Sequence, residues 1–140
     1  MNVQRLLAVP LVVVGLAWQA QAQAPTINRE PAKSTAANSG SEMFTTYCAV
    51  CHGPNGKGTG PAAAALKKQP ADLTQLSKKN GGQFPDIKIA LFIKGNDVLA
   101  SHGSRDMPIW GKIFTDMEDE KISNLRIYNL TEYVRSLQEK

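Results

Sequence analysis

Apolar and polar residues fall into distinct blocks along this 140-residue chain. The first block follows one positive side chain, Arg5, and runs from Leu6 to Ala17 before giving way to the small-residue repeat "QAQAQA". About 20 apolar residues are needed to cross a bilayer core, so the run is short for a membrane span. Its layout is that of a secretory signal peptide. Two A-x-A sites compete, ending at Ala22 and at Ala24, and cleavage after the second would place Pro25 directly past the scissile bond. The proline ring restricts the chain there, so residues 1–22 are expected to form the signal peptide. No cysteine stands at the end of the apolar run, so a lipoprotein anchor is not expected. The next block, "QAPTINREPAKSTAANSG", is poor in large apolar residues, and residues 23–39 are expected to form a flexible leader.

From residue 40 onward the apolar positions recur with helical spacing. Gly40 and Ser41 are placed to begin a first helix through "SEMFTTYC", with Ser41 as its N-cap. A middle helix is expected from about Pro85 to Lys94, with Ile87, Leu91 and Phe92 or Ala90 turned inward and Gly95 ending it. The last helix reads from near Ser123 to Leu137. Ile127, Leu130, Val134 and Leu137 form one buried stripe with Tyr133 beside it, and Asp116, Glu118, Asp119 and Glu120 gather ahead of it, as a helix N-terminus favours. No alternating run long enough to demand a sheet is present, and no internal repeat is found.

Composition adds that the chain is ordinary for a globular protein, with 42% hydrophobic and 20% charged residues. Aromatic content is only 6%, leaving few large side chains to fill a core, so a bound cofactor could supply apolar bulk. Both cysteines lie in "YCAVCHGPNGKGTG", three residues apart, with His52 directly after the second. A Cys48–Cys51 disulfide would close a tiny loop that restrains little of the unfolded chain. Structural zinc wants four ligands, and adjacent Cys51 and His52 are not its usual spacing. A redox motif of the thioredoxin type expects alternating β and α units. C-x-x-C-H is the attachment sequence of c-type haem. Positions i and i+3 share a helix face, so both thiols can reach the vinyl groups on one porphyrin edge, while His52 points an imidazole nitrogen at the iron. One covalently bound haem c is therefore expected, with Cys48 and Cys51 as its attachment points. The glycines after it bring backbone close to something flat, and they do not form a phosphate loop, because Lys57 is followed by Gly58 rather than Ser or Thr.

The second axial ligand comes from the methionines. Met43 lies on the first helix and reads as core filler, and Met117 sits in the acidic stretch "DMEDE", read as solvated. Met107 precedes Pro108, which blocks helix continuation and favours extended backbone at Met107 itself. Such a stiff loop suits a thioether held across a haem pocket, so Met107 is expected as the ligand opposite His52. His102, in "LASHGSRD", is the rival and reads as an exposed loop histidine.

Four stretches, "CAVCHGPNGKGTGPAAAAL", "PADLT", "DMPIWG" and "YVRSLQ", occur in the order found in class I c-type cytochromes. The run from about Gly40 to Gln138 resembles a small bacterial monohaem cytochrome c. That resemblance implies an all-α fold in which N- and C-terminal helices cross and loops wrap the haem, over a domain spanning residues 40–140. It also implies thioether links at Cys48 and Cys51 and axial ligation by His52 and Met107. Pro61 resembles the family proline whose carbonyl accepts the other N–H of the proximal histidine, although it also fits a helix start before "AAAAL".

Charge is nearly balanced. Without Arg5 the chain carries net +3, and two ionised propionates would bring this to about +1. Lys57, Lys67, Lys68, Lys78 and Lys79 cluster after the haem motif and could steer an acidic redox partner. Nothing suggests nucleic-acid binding. With His and Met filling both axial positions, no coordination site is left for substrate, so an electron carrier rather than an enzyme is expected, monomeric and in the bacterial periplasm. Two alternatives remain at this stage. One is a haem enzyme or gas sensor with a displaceable sixth ligand, the other an electron-transfer subunit of a larger dehydrogenase or oxidase.

Overall fold

Ser39 starts the first helical stretch: its hydroxyl accepts from the Glu42 amide at 3.3 Å. The cap is thus Ser39 rather than Ser41. The computed structural model describes residues 31–96 and 107–139, all within the unit Pro31–Lys140. The expected signal peptide, residues 1–22, lies outside the described residues, as does His102. Among the described residues all regular structure is helical, in agreement with the expected all-α fold.

Three consecutive segments make up the first stretch: α1 (Gly40–Met43), a π-helical turn (Phe44–Cys48) and α2 (Ala49–His52). Short 3-10 turns follow at Ala63–Ala65 and Leu73–Gln75, then α3 (Leu76–Lys79), α4 (Asp86–Lys94), α5 (Trp110–Met117) and α6 (Glu120–Ser136). Asp119 caps α6 by accepting from the Ile122 amide at 2.9 Å. The last helix therefore begins three residues earlier than its apolar stripe suggests. α5 was not expected, because Pro108 and the acids around Met117 obscured its pattern. Trp110, Phe114 and Met117 stand at i, i+4 and i+7 and all pack on the core.

α1 lies against α6. A Cβ on Gly40 would collide with the Asn129 carbonyl oxygen and stand 2.9 Å from Tyr133 Cβ, so only glycine permits this approach. Phe44 packs its ring 5.1 Å from that of Tyr133. Met43, Phe44, Tyr47, Ile93, Phe114, Ile127, Leu130 and Val134 form the core. Burial of such side chains is worth about 1.5–3 kcal/mol each. The stripe expected on α6 is present, with Leu137 and Tyr133 at its margin.

α4 ends at Gly95 as expected, with φ 92. Its buried face is different. Ile87 is 75% exposed and Leu91 43% exposed, whereas Ile93 is buried and Ile89 and Ala90 pack on the core. Ile89 and Ile93 are one turn apart on the face toward the core. Ile87 and Leu91 form an equivalent pair on the opposite side of the same helix, and sequence spacing alone does not distinguish the two pairs.

The segment expected as a flexible leader up to residue 39 is held on the helices from Lys33 onward. Arg126 is 1% exposed. It donates to Thr35 O at 2.8 Å and Thr35 Oγ1 at 2.9 Å, and to both carboxylate oxygens of Glu118 at 3.0 and 3.1 Å. With its hydroxyl oxygen accepting from Arg126, Thr35 donates to Tyr47 Oη at 2.9 Å, and Tyr47 donates on to the carbonyl of Lys33. Asn129 Nδ2 donates to the Ala37 carbonyl at 3.0 Å. A buried charge is tolerated only when paired and hydrogen-bonded, and here the leader's backbone supplies part of that pairing.

Candidate functional site

The π turn sets where the thiols stand. It buries Phe44 and Tyr47 and ends at Cys48, and α2 then carries Cys51 and His52. Such bulges recur at functional positions in helices, and no local propensity in "FTTYC" announces this one. Both cysteines are free thiols and half-buried. Burial, with Cys51 adding to it, pushes the Cys48 thiol up to about 12. Thiolate is the reactive species, so Cys48 lacks the low pKa of a disulfide-exchange motif.

His52 closes α2. Its Nδ1 lies 3.0 Å from the carbonyl oxygen of Ala71. A carbonyl can only accept, so Nδ1 carries the proton and Nε2 keeps its lone pair. Burial lowers the His52 pKa, against a smaller raising by the Ala71 hydrogen bond, and this favours the neutral imidazole. The acceptor is Ala71, in "PADLT", and not Pro61. Pro61 sits exposed in the turn before Ala63–Ala65. The proline next to the acceptor is Pro70, so the orienting carbonyl lies one residue past it.

Backbone of the glycine loop closes onto the chain itself. Gly58 N donates to His52 O at 2.7 Å, Gly60 N to Cys51 O at 3.0 Å and Ala62 N to Val50 O at 2.9 Å. These bonds satisfy carbonyls that the end of a helix leaves without partners. These three amides thus face the last turn of α2. Leu73 N donates to Gly56 O at 2.7 Å, which fastens the "PADLT" segment of the site to the loop. Asp72 caps the next turn by accepting from Thr74 N at 2.9 Å.

Met107 is half-buried and packs against the core, just ahead of exposed Pro108. Met43 is fully buried, as a core filler should be. Met117 also packs on the core at the end of α5 and is less solvated than its acidic neighbours suggested. Trp110 and Tyr47 escaped attention in the sequence. Their rings lie 5.2 Å apart, and they are the residues that join the Met107 segment to the helix carrying Cys48.

Two thiols one helical turn apart, followed by a neutral imidazole that keeps the Nε2 lone pair, suit covalent attachment of haem and ligation of its iron. Among the described residues no three His, Cys, Asp or Glu side chains converge as an ion-binding group. No described helix is long and apolar enough to cross a membrane.

A family model described as Cytochrome c matches residues 37–138. No curated protein and no solved structure matches the chain.

Proposed function

The chain belongs to the cytochrome c family, whose domains bind covalently attached haem c and serve haem-based electron transfer, and on that premise we propose a one-electron carrier of the bacterial periplasm with His52 and Met107 as axial ligands. When bound, haem would supply one-electron chemistry at its iron. Cys48 and Cys51, which fit the C-x-x-C-H motif, hold the group through thioethers.

His52 presents Nε2, and the Ala71 carbonyl fixes the ring's tautomer and orientation. Such an outer contact raises the basicity of a ligating imidazole. That hydrogen bond is the observation carrying the proposal. Met107 supplies a soft thioether, which favours ferrous iron and a high potential. With His52 and Met107 as the side chains that would hold the iron, the protein's task would be to keep its own structure unchanged through a one-electron change.

Export rests on the apolar run after Arg5, read as a signal peptide removed after Ala22. The partner is a redox protein with an acidic docking face. Lys67, Lys68, Lys78 and Lys79 are exposed on this side of the sequence. Lys57 is drawn out of that patch by its 2.9 Å ion pair with Glu139.

Carbon monoxide tests the carrier reading. The purified reduced protein is expected to keep its spectrum under carbon monoxide. Rapid binding would place an enzyme or gas sensor ahead of a carrier. Covalent attachment is checked by haem-peroxidase staining of a denaturing gel, which the Cys48→Ala, Cys51→Ala double variant should lose.

A further inference from the structure

The three residues following Pro108 are seated against two parts of the fold, Ile109 and Gly111 against the end of α4 and Trp110 against Tyr47 and Phe114. Ile109 leans on Gly95, where an added Cβ would stand 2.5 Å from Ile109 Cγ2. The Trp110 ring packs at a tilt against Tyr47, 5.2 Å away, and stacks on Phe114 at 5.6 Å. Gly111 meets the end of α4 so closely that an added Cβ would lie 2.5 Å from the Lys94 carbonyl oxygen. Neither neighbour of Trp110 can shift without breaking one of these contacts.

We propose that Trp110 is a positioning residue, the centre of a clasp that holds Met107 in place for the iron. The proposal rests on Met107 being the sixth ligand. Only Pro108 and Ile109 separate Met107 from Trp110, and the proline's φ is fixed by its ring. Few soft dihedrals therefore remain between the thioether and the indole. Tyr47 directly precedes Cys48, so the tilted Tyr47–Trp110 ring contact ties the Met107 segment to the helix bearing both thiols. The Tyr47 ring cannot swing freely, because its hydroxyl is held in the chain running from Arg126 through Thr35 to Lys33. Phe114 continues the stack one turn along α5, 5.5 Å from Tyr47, with the Arg126 guanidinium 5.7 Å from its centroid. A methionine on a loose loop would leave the iron and return, admitting outside ligands at each opening. The clasp makes that opening rare.

The test is the rate of cyanide binding to the ferric protein, read with the far-red sulfur-to-iron band. Trp110→Ala removes the ring contacts and should speed cyanide binding by up to about tenfold, since an aromatic pair contributes about 0.5–1.5 kcal/mol beyond its area and about 1.4 kcal/mol is tenfold, and it should weaken the band. Trp110→Phe restores a ring and should return both readouts to within about twofold of wild type. Trp110→Leu keeps apolar bulk without stacking and supplies the measurement if the alanine variant does not fold; it should still bind cyanide faster than Trp110→Phe. Val134→Ala, a buried change on α6, should lower the unfolding midpoint while leaving both readouts alone. A wild-type band left intact by Trp110→Ala and Trp110→Leu, with unchanged cyanide rates, overturns the clasp and spares the ligand assignment. A wild type without the band overturns the ligand assignment, and the clasp with it.

Discussion

The guanidinium of Arg126 donates to the carbonyl oxygen of Thr35 at 2.8 Å, across 91 residues of sequence. Because the same side chain is 1% exposed and also grips Glu118, it joins the N-terminal segment, α6 and the α5–α6 turn at one point. Arg126→Ala should lower stability by about 3 kcal/mol, leaving Thr35 O without a donor and Glu118 without its partner. Thr35→Val keeps the carbonyl and loses only the hydroxyl, so about 1 kcal/mol is expected. Urea unfolding of the haem-loaded protein measures both. An Arg126→Ala variant within about 0.5 kcal/mol of wild type would mean that the network contributes little.

That network also marks what the sequence could not disclose. Cys48, Cys51 and His52 were legible because their chemistry depends on local spacing. The stripe of Ile127, Leu130 and Val134 was legible because α6 is long enough for its period to show. Arg126 lies inside that stripe and reads as a solvent position until Thr35 and Glu118 are known to meet it. Ala71 in place of Pro61 depends on how the glycine loop folds back, which no local pattern encodes. Ile87 and Leu91 share their spacing with Ile89 and Ile93, and only the position of α6 decides between the pairs.

The C-terminal ion pair gives a pH dependence of known sign. Lys57 donates to Glu139 at 2.9 Å, Gln75 donates to it at 2.6 Å, and together they hold its carboxyl below the usual range. A depressed carboxylate contributes stability above its unfolded pKa and loses it as pH falls through the folded one. The Lys57 amine is raised, chiefly by Glu139, so its share is present below the unfolded lysine pKa and lost as pH rises through the folded value. Both groups are about half exposed, so the effect is small and screened by salt. The melting-temperature advantage of wild type over Glu139→Gln should be flat near neutrality and shrink at both extremes. A difference that grows as pH falls would show that the pair does not act this way.

Partner docking predicts a salt effect. If Lys67, Lys68, Lys78 and Lys79 meet an acidic face, electron transfer should slow as salt rises, since exposed charges are screened beyond about 8 Å at physiological ionic strength. Reversing two of these charges should flatten that dependence, while reversing Lys112, whose charge is already paired with Asp116 at 2.8 Å, should not. A salt-independent rate with the native partner would return the lysines to an ordinary solvated surface.

The ferric optical spectrum of wild type beside Met107→Ala addresses ligation most directly. His52 alone does not separate a carrier from an enzyme, because an open or weakly held sixth position would serve either catalysis or sensing. Wild type should show the weak far-red band of sulfur-to-iron charge transfer. Met107→Ala should lose it, whereas Met117→Ala, which alters only packing at the end of α5, should keep it. A wild type that lacks the band, or a Met107→Ala variant that retains it, would contradict the assignment of Met107 and with it the electron-carrier account.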